Sequence, residues 1–274
     1  DKVSDQTTWH WQDLNSWHDA VWAMLTDIGV GPDVVGAIRQ APPEYLVGDD
    51  LSWLERVVQE IVGESMEIRH ELACTLRDHF DAVRAFHCAR PRDVQSYYRH
   101  GIRPLDASEQ NEVIREIFLS GNFPKVTAAH VDEAIQYVGP ELRHGRVYFD
   151  AHERELVESC GHYMLYGSEY VTAVAAHIQG PRDYRQALKT RGTPTVFVCD
   201  VPIAAMHSDA VEEFAGIAVK VLFKRLLDPT FEHPQPHDGG GICIRRALPA
   251  NRIIRHYHPT HIADPFLGNL VTSI

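Results

Sequence analysis

A histidine in the middle of an apolar run, Ala85-Phe86-His87-Cys88-Ala89-Arg90, is the first residue of this chain whose setting suggests chemistry. Strand side chains alternate between the two faces of a sheet, so an imidazole placed there can point into a cleft with a fixed ring orientation, or sit hydrogen-bonded in a core. A second stretch, Gly145-Arg146-Val147-Tyr148-Phe149-Asp150, offers another strand with adjacent aromatics. After it, Tyr163, Tyr166, Tyr170, Val174 and His177 fall on one stripe at helical pitch. The stripe reads either as a core seam or as a flat clamp for a planar heterocycle. Toward the end of the chain, His233, His237, Asp238, His256, His258 and His261 supply enough donors for zinc or another transition metal, which would mean a hydrolase or nuclease. That set lacks H-E-x-x-H and paired cysteines. Arg245, Arg246, Arg252 and Arg255 gather around the late strands, where alternation leaves one of Arg245 and Arg246 to serve a cleft. Such a group suits pyrophosphate or a nucleic-acid phosphate.

The elements that must hold these residues follow from hydrophobic period and turn signals. Strands are predicted at 84–90, 146–150, 195–201, 242–248 and 252–258. Helices are predicted at 13–28, at 51–83 as one long helix or two broken near 63–65, and at 91–100, 108–119, 128–138 and 156–178. The clearest is 208–227: Ser208 suits an N-cap, Asp209, Glu212 and Glu213 suit the first turns, and Lys220, Lys224 and Arg225 suit the last. The expected fold class is α+β, a helical N-terminal region at 1–83 followed by an α+β domain at 84–274.

With 274 residues, 44% hydrophobic and 23% charged, the chain can bury a sizeable core. A net charge of −12 argues against indiscriminate binding to phosphate backbones. No apolar run is long enough for a membrane span, and the polar opening, which starts on Asp1 rather than Met, is not expected to be a signal peptide. Five scattered cysteines without C-x-x-C suit a reducing cytoplasm. The signatures of P-loop, dinucleotide-fold and α/β-hydrolase enzymes are absent. All five tryptophans, Trp9, Trp11, Trp17, Trp22 and Trp53, lie in the first 53 residues. They read as a small helical core or, if several indoles are wet, as a catalytically inactive partner-binding module.

The order of the pieces resembles the ADP-ribosyltransferase superfamily, in the branch of poly(ADP-ribose) polymerases and diphtheria-type toxins. The resemblance rests on His87 followed by His100-Gly101-Ile102-Arg103-Pro104-Leu105, on Gly145 to Phe149, on Gly167, Ser168 and Tyr170, and on Ala247-Leu248-Pro249-Ala250-Asn251-Arg252-Ile253. It covers roughly residues 84 to 258 and implies a split β-sandwich that binds NAD as substrate in a cleft between sheets. It further implies that His87 bonds a ribose hydroxyl, Tyr148 or Tyr170 stacks on nicotinamide, and Ser168 meets the amide. Cys88, Phe149 and Tyr166 would line the same site, and Arg245 would take the pyrophosphate. Transfer of ADP-ribose to a protein or nucleic acid, or hydrolysis of NAD, is the implied activity. The implied role is that of a bacterial toxin or anti-phage effector whose helical region meets a target, antitoxin or regulatory partner. The family's late-strand Glu has no counterpart near Gly239-Gly240-Gly241-Ile242, so Asp238 and Glu232 are the nearest carboxylates.

Overall fold

The apolar period of residues 51–83 is interrupted at Gly63, and the backbone turns there in the left-handed region (φ +88°), where glycine carries no Cβ penalty. In the computed structural model, which describes residues 7–141, 143–232 and 240–272, this stretch forms two helices and the start of a strand. In chain order the elements begin with β1 (Thr8–Trp9), α1 (His18–Asp27), α2 (Pro32–Gln40), α3 (Ser52–Val62), α4 (Ile68–His79) and β2 (Ala82–Ala89). Then come α5 (Gln95–His100), α6 (Ala107–Phe118), α7 (Ala128–Val138), β3 (Val147–Asp150), α8 (His162–Leu165) and α9 (Glu169–His177). The last are β4 (Thr195–Pro202), α10 (Ser208–Leu227), β5 (Gly241–Ile244), β6 (Ile253–Tyr257) and the hairpin β7 (His261–Asp264) and β8 (Asn269–Thr272). The chain is α+β, as expected. No single helix among the described residues is long and apolar enough to cross a membrane.

Contacts divide the chain into two units, 1–85 with 200–243, and 86–199 with 244–274. The expected division at 83/84 therefore differs in one respect: the 200–243 segment, with α10, belongs with the N-terminal helices. Their common core explains this. Trp11 and Trp17 stack at 5.2 Å, Trp9 stacks on Phe80 at 5.3 Å, and Phe214 of α10 meets both Trp9 and Trp11 edge-on. Trp22 and Trp53 pack on Phe223. Four of the five indoles are buried and Trp22 is half-buried, so this region does not present the row of wet tryptophans that an interface would need. Close approach adds to the fit, since a Cβ on Gly216 would lie 1.9 Å from the Gly48 carbonyl oxygen. The cap of α10 is His207, whose ring accepts the Asp209 N–H, and Ser208 is the first helical residue.

The main sheet has strand order β5-β3-β2-β4-β6, with β1 paired to β2 off this path. Phe86 pairs with Asp150 across β2 and β3, and Phe197 pairs with His256 across β4 and β6, both antiparallel. One face carries Phe86, Cys88, Val196 and Val198 into a core completed by Ile114, Phe118, Val131, Leu165, Tyr170 and Val174 from the helices. The region expected as one helix at 156–178 is instead a π-helical turn (Glu155–Ser159) followed by α8 and α9. Two glycines cause the breaks: Gly167 has φ +87°, and a Cβ on Gly161 would lie 2.0 Å from the Ala263 carbonyl oxygen of β7. The tyrosine stripe is therefore shared between two short helices. β5 ends at Ile244, before Arg245 and Arg246, so the strand alternation expected for this pair does not apply.

Candidate active site

His87 and its two sequence neighbours illustrate how β2 sorts chemistry. With Phe86 opposite Asp150, alternation sets Tyr148 and Asp150 on the face of Phe86 and Cys88, and Phe149 on the face of His87. The ring contact between His87 and Phe149, 5.5 Å between centroids, agrees with this. The His87 Nδ1 lies 2.8 Å from the Tyr148 carbonyl oxygen, which can only accept, so Nδ1 carries the proton. Burial holds the His87 pKa below that of an ordinary histidine, partly offset by this bond. The half-buried ring is therefore neutral, and Nε2 presents a lone pair suited to a hydroxyl donor.

Aromatic side chains continue along this face. Tyr97 of α5 stacks on Phe197 at 4.3 Å, and burial pushes its hydroxyl up to about 12. Beyond Phe197, the Tyr98 hydroxyl lies 2.8 Å from His256 Nδ1, and His258 Nδ1 donates to the Pro194 carbonyl at 2.9 Å. Burial and then His258 lower the His256 pKa. Sequence reasoning gave Tyr97, Tyr98 and Phe197 no role, although the tyrosine pair just before Arg99-His100-Gly101 was a visible signal. Gly101 also shows why that step is glycine, because a Cβ there would meet the Leu248 carbonyl oxygen at 2.1 Å.

The opposite face is different in kind. Burial lifts the Cys88 thiol well above its usual range and raises Asp150 to about 6, despite the His152 N–H donated to Asp150 at 2.7 Å. Tyr166 and Tyr170 are both buried, their hydroxyls donating to Asp264 at 2.6 Å and to Asn111 at 2.8 Å. These two rings belong to the core seam, and the stacking role expected of Tyr170 has no open ring face. Tyr148 is 42% exposed, on the face away from His87, with its hydroxyl 3.3 Å from an Arg146 nitrogen. The structure thus brings His87 and Phe149 together, and places Cys88, Tyr148, Tyr166 and Tyr170 on the other side of the sheet. Of the carboxylates, Glu232 is exposed in the first unit and Asp238 lies outside the described residues, as do His233 and His237. Arg245 is exposed past the end of β5.

The end of β2 is held by Arg90, which sequence reasoning also passed over. Its guanidinium donates to the carbonyls of Met164 at 2.9 Å, Arg191 at 3.1 Å and Lys189. This draws the Gly167-Ser168 turn against β2, where a Cβ on Gly167 would stand 3.9 Å from that of Arg90. Ser168 starts α9 as its N-cap, yet its buried Oγ makes no hydrogen bond among the described residues. A buried hydroxyl without a partner is costly unless something else satisfies it. Against NAD, the neutral Nε2 of His87 and the Ser168 Oγ fit the groups expected of them, whereas Tyr148, on the face away from His87, and the buried Tyr166 and Tyr170 do not. Against a metal, no group of three or more His, Cys, Asp or Glu among the described residues is arranged to hold an ion. No family model, curated protein or solved structure matches this chain.

Proposed function

We propose that the second unit is an ADP-ribosyltransferase-like domain that binds NAD and transfers ADP-ribose to a macromolecular acceptor, protein or nucleic acid, or to water. The observation that carries this reading is strand adjacency. The strands bearing His87 and the Gly145–Phe149 motif are neighbours, β2 beside β3, and β5, which starts in the Gly239–Ile242 stretch where the resemblance sets the family's late strand, lies on the other side of β3 although about ninety residues of chain separate the two. The unpartnered Ser168 hydroxyl beside the end of β2 supports the same reading. The split β-sandwich belongs to this proposal too, with the five-strand path and the β7–β8 pair as its sheets.

In the reaction, the bond from ribose to nicotinamide breaks, nicotinamide leaves with the electron pair, and the acceptor attacks a ribose that bears oxocarbenium-like positive charge. His87 fixes the substrate by accepting a ribose hydroxyl at Nε2, with its proton retained at Nδ1 by the Tyr148 carbonyl. Ser168 orients the leaving amide. A carboxylate must stabilise the cationic sugar, a role for which the resemblance supplies no matched residue in the second unit. A cytoplasmic setting, a toxin or anti-phage role and a partner at the first unit go with this reading.

The test is to incubate the full chain with labelled NAD, with and without cell lysate, and follow nicotinamide release and label transfer. His87→Ala and Ser168→Ala should each weaken NAD binding about tenfold, the effect of one hydrogen bond to a buried site. Absence of release, transfer and any NAD-induced thermal shift would sink the proposal.

A further inference from the structure

On the helical side of the second unit, a pocket of about 370 Å³ is lined by Ile117, Asn122, Phe123, Tyr184, Gln186 and Thr190, together with Arg182, Asp183, Ala187 and Arg191. Its volume lies within the roughly 300 to 1,000 Å³ typical of small-molecule sites. We propose that this pocket binds a small metabolite through an oxyanion, a phosphomonoester or a carboxylate, held by Arg182 and Arg191. The proposal is separate from the NAD reading and shares none of its residues.

The way Arg182 is held carries the argument. Its guanidinium lies 4.8 Å from the Phe123 centroid and 5.3 Å from that of Tyr184, and no carboxylate pairs with it among the described residues. The two rings are themselves fixed edge-on at 5.9 Å, and both lean on Phe118. An arginine oriented by ring faces keeps its N–H edge unspent, and that planar fork matches an oxyanion. Arg191 has a partner, Glu116 at 2.7 Å, but Glu116 also binds Arg92 at 3.1 Å, so one carboxylate serves two cations. The Arg191 Nε is buried with no hydrogen-bond partner among the described residues. The acid in the wall, Asp183, is closed off by the Arg185 fork, whose two contacts are both 2.9 Å, and this pairing lowers the Asp183 pKa. The pocket therefore has positive charge in excess within a chain of net charge −12.

Isothermal titration of the full chain with inorganic phosphate, ribose 5-phosphate and citrate tests this. At least one should bind saturably, more weakly as salt rises, and about tenfold more weakly in Arg182→Gln and Arg191→Gln. Arg182→Lys, which keeps the charge and loses the fork, should fall between, and Arg154→Gln, elsewhere on the surface, should match the parent chain. Thermal melts of each variant separate loss of binding from loss of fold. Failure of all three probes to saturate, binding unchanged in both Arg→Gln variants, or displacement of the probe by NAD would overturn the proposal. Since no probe contains nicotinamide, failure of the NAD reading leaves this result standing.

Discussion

The two faces of the β2–β3 ladder are built from similar residue types but keep their polar groups differently. On the His87 face, histidines and tyrosines alternate with Phe149 and Phe197, and the polar atoms are tied by short bonds, His87 to the Tyr148 carbonyl and Tyr98 to His256. On the other face, Asp150 and the Cys88 thiol are set against a helical core, and burial pushes both toward their uncharged forms. Hydrogen-bonded neutral rings tolerate burial at little cost, whereas a carboxylate without a cation does not. The first face is thus arranged to present a lone pair, and the second sets Cys88 and Asp150 against a packed helical core while leaving Tyr148 part-exposed.

The largest expected effect lies on the His87 face. Phe197→Ala removes a fully buried ring on which Tyr97 stacks, and should destabilise the protein by about 3–5 kcal/mol in urea denaturation. A loss below about 1 kcal/mol would mean that this face is not a packed one. Next is Asp150→Asn. The carboxyl titrates near 3.8 in the unfolded chain and about 6 in the native one, so between those values the native state holds the extra proton and stability falls as pH rises. The variant should therefore gain up to about 2 kcal/mol at pH 7.5 and nothing at pH 3.5, compared by thermal melts at both. If it gains equally at both, burial of charge is not what distinguishes this face.

His87 should show the opposite sign. Its native pKa is depressed, so its contribution is complete above the unfolded value of 6.5 and is lost as pH falls toward the native one. NMR titration of the ring should give a midpoint below 6.5, with the proton on Nδ1, and a midpoint above 6.5 would break the lone-pair assignment. Smallest of all, Tyr148→Ala should change stability by no more than about 1 kcal/mol, because the residue is 42% exposed. NAD affinity should be unchanged in the same variant, because Tyr148 lies on the face away from His87, and a loss would overturn that placement.

Local signals carried much of this architecture. The five strands at 84–258 and the helix α10 were legible because each has a strong period and charged or turn-forming flanks, and α7 is bounded as its pattern implies. What was not legible depended on distant contacts. Helix α2 is absent from the expected helices, although Pro32 at its first turn is a start signal. The break between α8 and α9 is forced partly by Ala263 of β7 against Gly161, a hundred residues away in sequence, and no local period reveals it. The candidate site suffered from the same limit. Tyr148, Tyr166 and Tyr170 have the right chemistry, but their face is decided by the Phe86–Asp150 register and by Asp264 and Asn111, which the motif does not contain.

Arg90 sets an order of events as well as a geometry. Its three acceptors, Met164, Lys189 and Arg191, come from 74, 99 and 101 residues downstream. Closing contacts over such separations costs chain entropy before any bond rewards it, so they form late in folding. The end of β2 and the Ser168 turn should therefore become native only when the 164–191 segment has arrived, and hydrogen exchange at those amides should protect in one slow step.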